Sequence, residues 1–199
     1  MQKNIINDWL KTYLVGPMED TKAKDGGRGW RIPIKEKLEK RVDSNGNGIY
    51  VFDPTIEEQS KVGMESEELH KKVQGWLASG NNEKIAEYGG LIWKGKTYLE
   101  KTDSGQARLI HIMGDVDYVT NSRFLIAKME PGDKPCGTFM EAGIALEHMI
   151  PIYVIQTMSR ADYPGSFIHA VMATDGGFFY NETEVFTYID KKYKLKVKK

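Results

Sequence analysis

Short apolar runs recur along the chain at Thr12-Tyr13-Leu14-Val15, Ile49-Tyr50-Val51-Phe52, Phe124-Leu125-Ile126-Ala127, Ile150-Pro151-Ile152-Tyr153-Val154-Ile155 and Gly177-Phe178-Phe179-Tyr180. Each has strand length and turn residues beside it, and an unbroken apolar run of that kind reads as a buried strand. The first stops at Gly16-Pro17 and the second at Asp53-Pro54, because proline supplies no N–H for a ladder. Between the runs the apolar spacing lengthens to three and four. Trp30, Ile34, Leu38 and Val42 define one face of a helix over 30–42. A helix over 66–77 starts at Ser66 as cap. Leu109, Ile112, Val116 and Val119 predict a helix over 105–121, with His111, Asp115 and Tyr118 on a neighbouring face. Shorter helices follow at 166–173 and at 184–191, the latter capped by Asn181 or Thr183.

Strands alternating with helices predict an α/β fold of flavodoxin/Rossmann-like, three-layer type. Five mostly parallel strands would carry helices on both faces, in one domain spanning 1–199. Residues 55–105 form a helical insertion, broken by Gly80-Asn81-Asn82, Gly89-Gly90 and Gly95. A connection this long should carry structure of its own; it is either a lid or subunit contact, or an inert surface elaboration. Asp43-Ser44-Asn45-Gly46-Asn47-Gly48 resembles the opening of a calcium-binding loop, but the position that should supply the bidentate Glu is Pro54. Tight-turn chemistry is the preferred reading. The tail from Lys191 alternates Lys with apolar residues, giving either a lysine-protected edge strand or a solvated tail, which is preferred.

Charge narrows the partners. The 199 residues hold 28 Lys and Arg and 28 Asp and Glu, so nothing favours nucleic acid or an anionic membrane surface. The apolar runs are too short to span a bilayer, and the N-terminal residues lack the apolar core of a signal peptide. A single cysteine, Cys136, excludes an internal disulfide and fits a reducing, cytoplasmic setting. The four histidines show no metal-ligand spacing. No GxxxxGK[ST] phosphate loop is present, and no GxGxxG follows a strand.

The chain is organised around Cys136 to Leu146, which lies between two strand signals and completes a βαβ unit. Such a unit delivers the loop after its first strand to the carboxyl edge of the sheet, where open α/β folds bind ligands. Thr138-Phe139-Met140-Glu141 fits a capping box, which would explain both polar residues with no function. It fits a second reading as well. Gly137, Gly143 and Ala145 are small, allowing close approach of a ligand and of the sheet. A carboxylate in the first turn is held as an anion by the helix dipole. Such a group can attack a sugar carbon as the leaving group departs through an oxocarbenium-like state. Asp115, Asp117 and Asp133 are candidates for the second group this chemistry needs.

Three separated motifs resemble the nucleoside 2-deoxyribosyltransferase family, including its relatives that hydrolyse deoxynucleoside monophosphates. Tyr13-Leu14-Val15-Gly16-Pro17-Met18 resembles the family's first strand and turn. Asp115 with Val119, Ser122 and the Phe124 strand resembles the segment bearing its active-site aspartate. Gly137-Thr138-x-x-Glu141-x-Gly143-x-Ala145 resembles the signature around its nucleophilic glutamate. The resemblance implies that Glu141 attacks C1′ of a 2′-deoxyribosyl group and holds it covalently. It also implies that Asp115 helps hold the sugar or base and that Tyr13 orients the glutamate through its hydroxyl. Gly16, Pro17, Met18, Arg28, Asp133, Gly137 and Thr138 would contact substrate. Another base would accept the sugar in a transferase, and water in a hydrolase. No cofactor is implied, and members are homo-oligomers with sites completed by a neighbouring subunit.

The sequence departs from the pattern. Pro135 stands where the family often has Asp, with Asp133 as a substitute two residues earlier, and Arg123 stands where an acidic residue is common. Gly26-Gly27-Arg28, with Arg31 nearby, resembles the element that grips a 5′-phosphate in the monophosphate hydrolases; physically, backbone N–H groups and a guanidinium suit that task. A flexible loop with a surface arginine is the plain alternative. Two other classes stay open: a nucleotide-binding module without turnover, suggested by Pro135, and an interaction protein that works through the insertion.

Overall fold

A computed structural model describes residues 9–17, 28–57, 66–101, 107–133 and 135–198. Its elements in chain order are β1 (Leu10–Val15), α1 (Arg28–Glu39), β2 (Arg41–Val42), β3 (Ile49–Phe52), α2 (Ser66–Ser79), α3 (Asn82–Lys94), β4 (Lys96–Lys101) and β5 (Ala107–Ile112). They continue with α4 (Asp115–Thr120), β6 (Phe124–Lys128), α5 (Cys136–Glu147), β7 (Ile152–Ile155), α6 (Gly165–Ala173), β8 (Gly177–Phe179), α7 (Glu182–Tyr193) and β9 (Lys196–Val197). The chain divides into two compact units, 1–55 with 119–199, and 56–118.

The first unit is the expected α/β fold. Its five-stranded sheet runs β3-β1-β6-β7-β8, and every pairing is parallel, with Thr12 opposite both Val51 and Phe124, and Leu125 opposite Ile152. Side chains alternate between faces. Leu14, Ile49, Val51, Phe124, Ile126, Tyr153 and Ile155 form one core with Ile34 and Leu38 of α1 and Val185, Phe186 and Ile189 of α7. Removing each such side chain from water contributes roughly 1.5–3 kcal/mol. Tyr13, Val15, Leu125, Ala127, Ile152 and Val154 are buried as well and turn to the opposite face. That side belongs to α5 and α6, which meet through the Phe139 and Phe167 rings at 5.9 Å. Gly176 is required at the turn into β8, because a Cβ there would lie 2.2 Å from the Ile152 carbonyl oxygen.

The first helix departs from its predicted span, ending at Glu39. Val42 leaves the helical stripe for β2, which pairs antiparallel with β9. The end of the tail is therefore a short strand paired with β2, although its two residues stay exposed. Leu195 is buried beside it, its N–H bonded to the Asp190 carbonyl, and the Lys198 N–H reaches the Lys40 carbonyl. Arg41 ties the same corner to Asp190 at 2.7 Å. Between β2 and β3 the tight turn prevails: Asp43 accepts from the Asn45 and Asn47 N–H groups and from the Asn47 amide. The Asn47 backbone bond holds the Asp43 carboxyl below its ordinary value.

The second unit holds α2, α3, a β4–β5 hairpin and the start of α4. The hairpin replaces most of the helix predicted over 105–121. Residues 107–112 pair antiparallel with 96–101, Thr97 opposite His111 and Leu99 opposite Leu109, and helix resumes only at Asp115. The insertion is thus not purely helical. Gly89-Gly90 does not break α3. Each glycine costs about 1 kcal/mol there, offset by the Asn81 cap on the Lys84 N–H, by Gly95 at the C-cap and by the Trp76–Tyr88 ring contact with α2.

Candidate active site

The strand order reverses between β1 and β6: from β1 the chain moves outward to β3, and later returns to β6 on the other side. In open α/β sheets, the crevice outside the carboxyl ends of two such strands is where ligands bind. Gly16 stands at the end of β1, where a Cβ would lie 2.5 Å from the Lys128 carbonyl oxygen of β6 and 2.9 Å from the Trp30 ring. No other residue fits that approach without a shift. Arg31 secures the same turn from below. Fully buried, it donates to the carbonyls of Leu14, Gly16 and Pro17 and stacks on Trp30 with 4.6 Å to the ring centroid. Of the two arginines singled out in the sequence, Arg31 is thus an internal clamp on the turn, whereas Arg28 is half-buried at the first position of α1. Met18 and the Gly26-Gly27 pair lie outside the described residues.

After β6, α5 begins at Cys136 with Pro135 as its N-cap. Proline presets a helical φ, so the helix starts two residues before Thr138. The capping box does not form: no side chain caps α5, and no acidic residue lies in its first turn. Glu141 sits in the second turn instead, 6% exposed, which also weakens the dipole argument, since that effect fades past the first turn. Gly137 and Gly143 face open space and do not serve close packing; Ala142 and Ala145 do.

The Tyr13 hydroxyl donates to Glu141 Oε1 at 2.8 Å, in a buried bond. The partners come from β1 and from α5, the helix that follows β6, the two strands that flank the switch point being β1 and β6. Thr138 is buried one turn earlier on α5, and among the described residues its Oγ1 has no hydrogen-bond partner. In the preceding loop, Asp133 Oδ2 accepts from the Glu130 N–H at 2.7 Å, while Oδ1 is buried without a partner among the described residues. Pro17 is buried and Gly137 exposed. Asp115 opens α4 in the second unit, 4% exposed.

A buried carboxylate with one oxygen held by a phenol keeps a fixed orientation, as a nucleophile or a general base requires. Sequence reasoning missed how completely Arg31 is buried; the available hint was its spacing of three and seven from Ile34 and Leu38, the buried face of α1. Among the described residues no group of three His, Cys, Asp or Glu is placed to hold a metal ion, and no helix is long and apolar enough to cross a membrane. No protein-family model matches the chain, and no curated protein matches it.

Proposed function

We propose that the protein cleaves the N-glycosidic bond of 2′-deoxyribonucleosides or their 5′-monophosphates and passes the sugar to another base. A Glu141 carboxylate oxygen bonds to C1′ as the C1′–N bond breaks. The electron pair and a proton go to the departing base, leaving a glycosyl ester. A ring nitrogen of the incoming base then attacks C1′, the C1′–O ester bond breaks to free the glutamate, and the incoming base's N–H proton returns to the acid that protonated the first base. The carrying observation is the Tyr13–Glu141 hydrogen bond at the switch point of the sheet. Asp115 keeps the role the resemblance gives it, contact with the sugar or base, and Asp133, in the loop that leads into α5, is the carboxyl assigned to the departing base. Incubation with a deoxynucleoside or its 5′-monophosphate and a different free base should yield the exchanged product. Base release without exchange assigns water as the acceptor and makes the protein a hydrolase. Full activity in Glu141→Ala refutes the mechanism.

A second reading is a module that binds a nucleotide without turning it over. Pro135 at the head of α5, with no side-chain cap, favours it by removing a carboxylate from the approach to Glu141. Calorimetric binding with no product over hours would support this reading, and any turnover lost in Glu141→Ala would end it.

A further inference from the structure

The hairpin carries a hydrogen-bonded chain that ends beside Asp115. Thr97 Oγ1 lies 2.8 Å from His111 Nδ1, on residues that face each other across β4 and β5. His111 Nε2 lies 2.9 Å from Asp117 Oδ2, and the same oxygen accepts the Gly114 N–H at 2.8 Å. The directions are forced when the imidazole is neutral. A carboxylate only accepts, so Nε2 carries the proton, Nδ1 accepts, and the Thr97 hydroxyl donates. Asp117 therefore fastens Gly114, the residue before Asp115, from the residue after next. The backbone just before Asp115 is pinned in this way. Close packing adds to the effect: a Cβ on Gly114 would lie 2.4 Å from the Gly95 nitrogen, and one on Gly95 1.9 Å from the Ile112 carbonyl oxygen. The end of α3, the end of β5 and the start of α4 thus meet backbone to backbone, with the buried Asp115 carboxyl next in the chain.

We infer that His111 is a positioning residue: linked to Thr97 and Asp117, it fixes the start of α4 and so the direction of the Asp115 carboxylate. The hairpin then has a task and is not an inert elaboration. This rests on the reading of Asp115 as a group that meets the sugar or base.

The test uses the full chain as wild type, His111→Ala, His111→Gln and Asp117→Asn. Imidazole nitrogen shifts at alkaline pH should show Nε2 protonated and Nδ1 bare, and Asp117→Asn should disturb that tautomer. His111→Ala should lower kcat about tenfold, leave KM and the melting temperature near wild type, and be largely rescued by His111→Gln. The side-chain carbon shift of Asp115 should differ between wild type and His111→Ala. Protonated Nδ1 in the wild type, unchanged kcat in His111→Ala, or no rescue would each overturn the inference. If the wild type turns over nothing, the glycosyl-transfer reading fails on its own. The Asp115 carbon shift then decides: a change on removing the imidazole sustains the positioning, and an unmoved signal overturns it.

Discussion

Tyr13 and Glu141, 128 positions apart in the sequence, share a buried 2.8 Å hydrogen bond. The bond crosses from β1, second in the order of the sheet, to the helix that follows its neighbour β6. A phenol committed to one carboxylate oxygen leaves that carboxylate little rotational freedom, and in the proposed reaction freedom lost beforehand need not be lost during it.

The first prediction follows from that bond. Tyr13→Phe keeps the ring and its packing while removing the donor. Turnover should fall about tenfold or more, and stability by about 1–3 kcal/mol, the range for leaving a buried acceptor short of one partner. Glu141→Gln, nearly isosteric, should keep the fold and abolish turnover. Steady-state kinetics beside chemical denaturation separate the two effects.

Gly16→Ala tests the close approach of β1 and β6. The added methyl would meet the Lys128 carbonyl oxygen at 2.5 Å, a backbone atom that cannot swing away. Forcing a methyl into a filled site costs about 1–3 kcal/mol, and the strand ends should part enough to weaken ligand binding. A melting temperature equal to wild type would show that the turn yields easily.

Alkaline stability should report the Tyr153–Tyr193 pair, whose hydroxyls lie 3.0 Å apart. Burial pushes the Tyr153 phenol from its ordinary 10.0 to about 12, and burial and the bond to Tyr153 push Tyr193 up as well. A phenol whose folded-state value is raised holds its proton more tightly when folded. Its stabilising effect is therefore complete below pH 10 and is lost as pH climbs from 10 towards 12. Urea midpoints should be flat up to about pH 9.5 and fall above it, and Tyr193→Phe should flatten the decline.

Ending the chain after Lys194 should remove β9 and the buried Leu195 together. Loss of one buried leucine predicts about 1.5–3 kcal/mol of destabilisation. Val197, 56% exposed, should tolerate replacement by threonine.

The parallel sheet was legible because its strands are unbroken apolar runs bounded by Gly, Pro and Asp. The stretch around Glu141 was legible as a helix after a strand, yet its first residue was not. Thr138 looked like a cap, while Pro135 had already set a helical φ upstream. The hairpin was misread for a different reason. Leu109, Ile112, Val116 and Val119 imitate helical spacing across a strand, a glycine and a short helix, while Ile110 and Ile112 on one face of β5 against Leu109 and His111 on the other is a strand pattern too brief to stand out. The Tyr13–Glu141 contact had no local signal in either segment, and the resemblance alone suggested it.

Every strand of the parallel sheet comes from chain outside residues 56–118, although that segment interrupts the crossover between β3 and β6. A stretch that contributes nothing to the sheet ladders can be lengthened, shortened or exchanged over generations without disturbing the strand and helix that bear Tyr13 and Glu141.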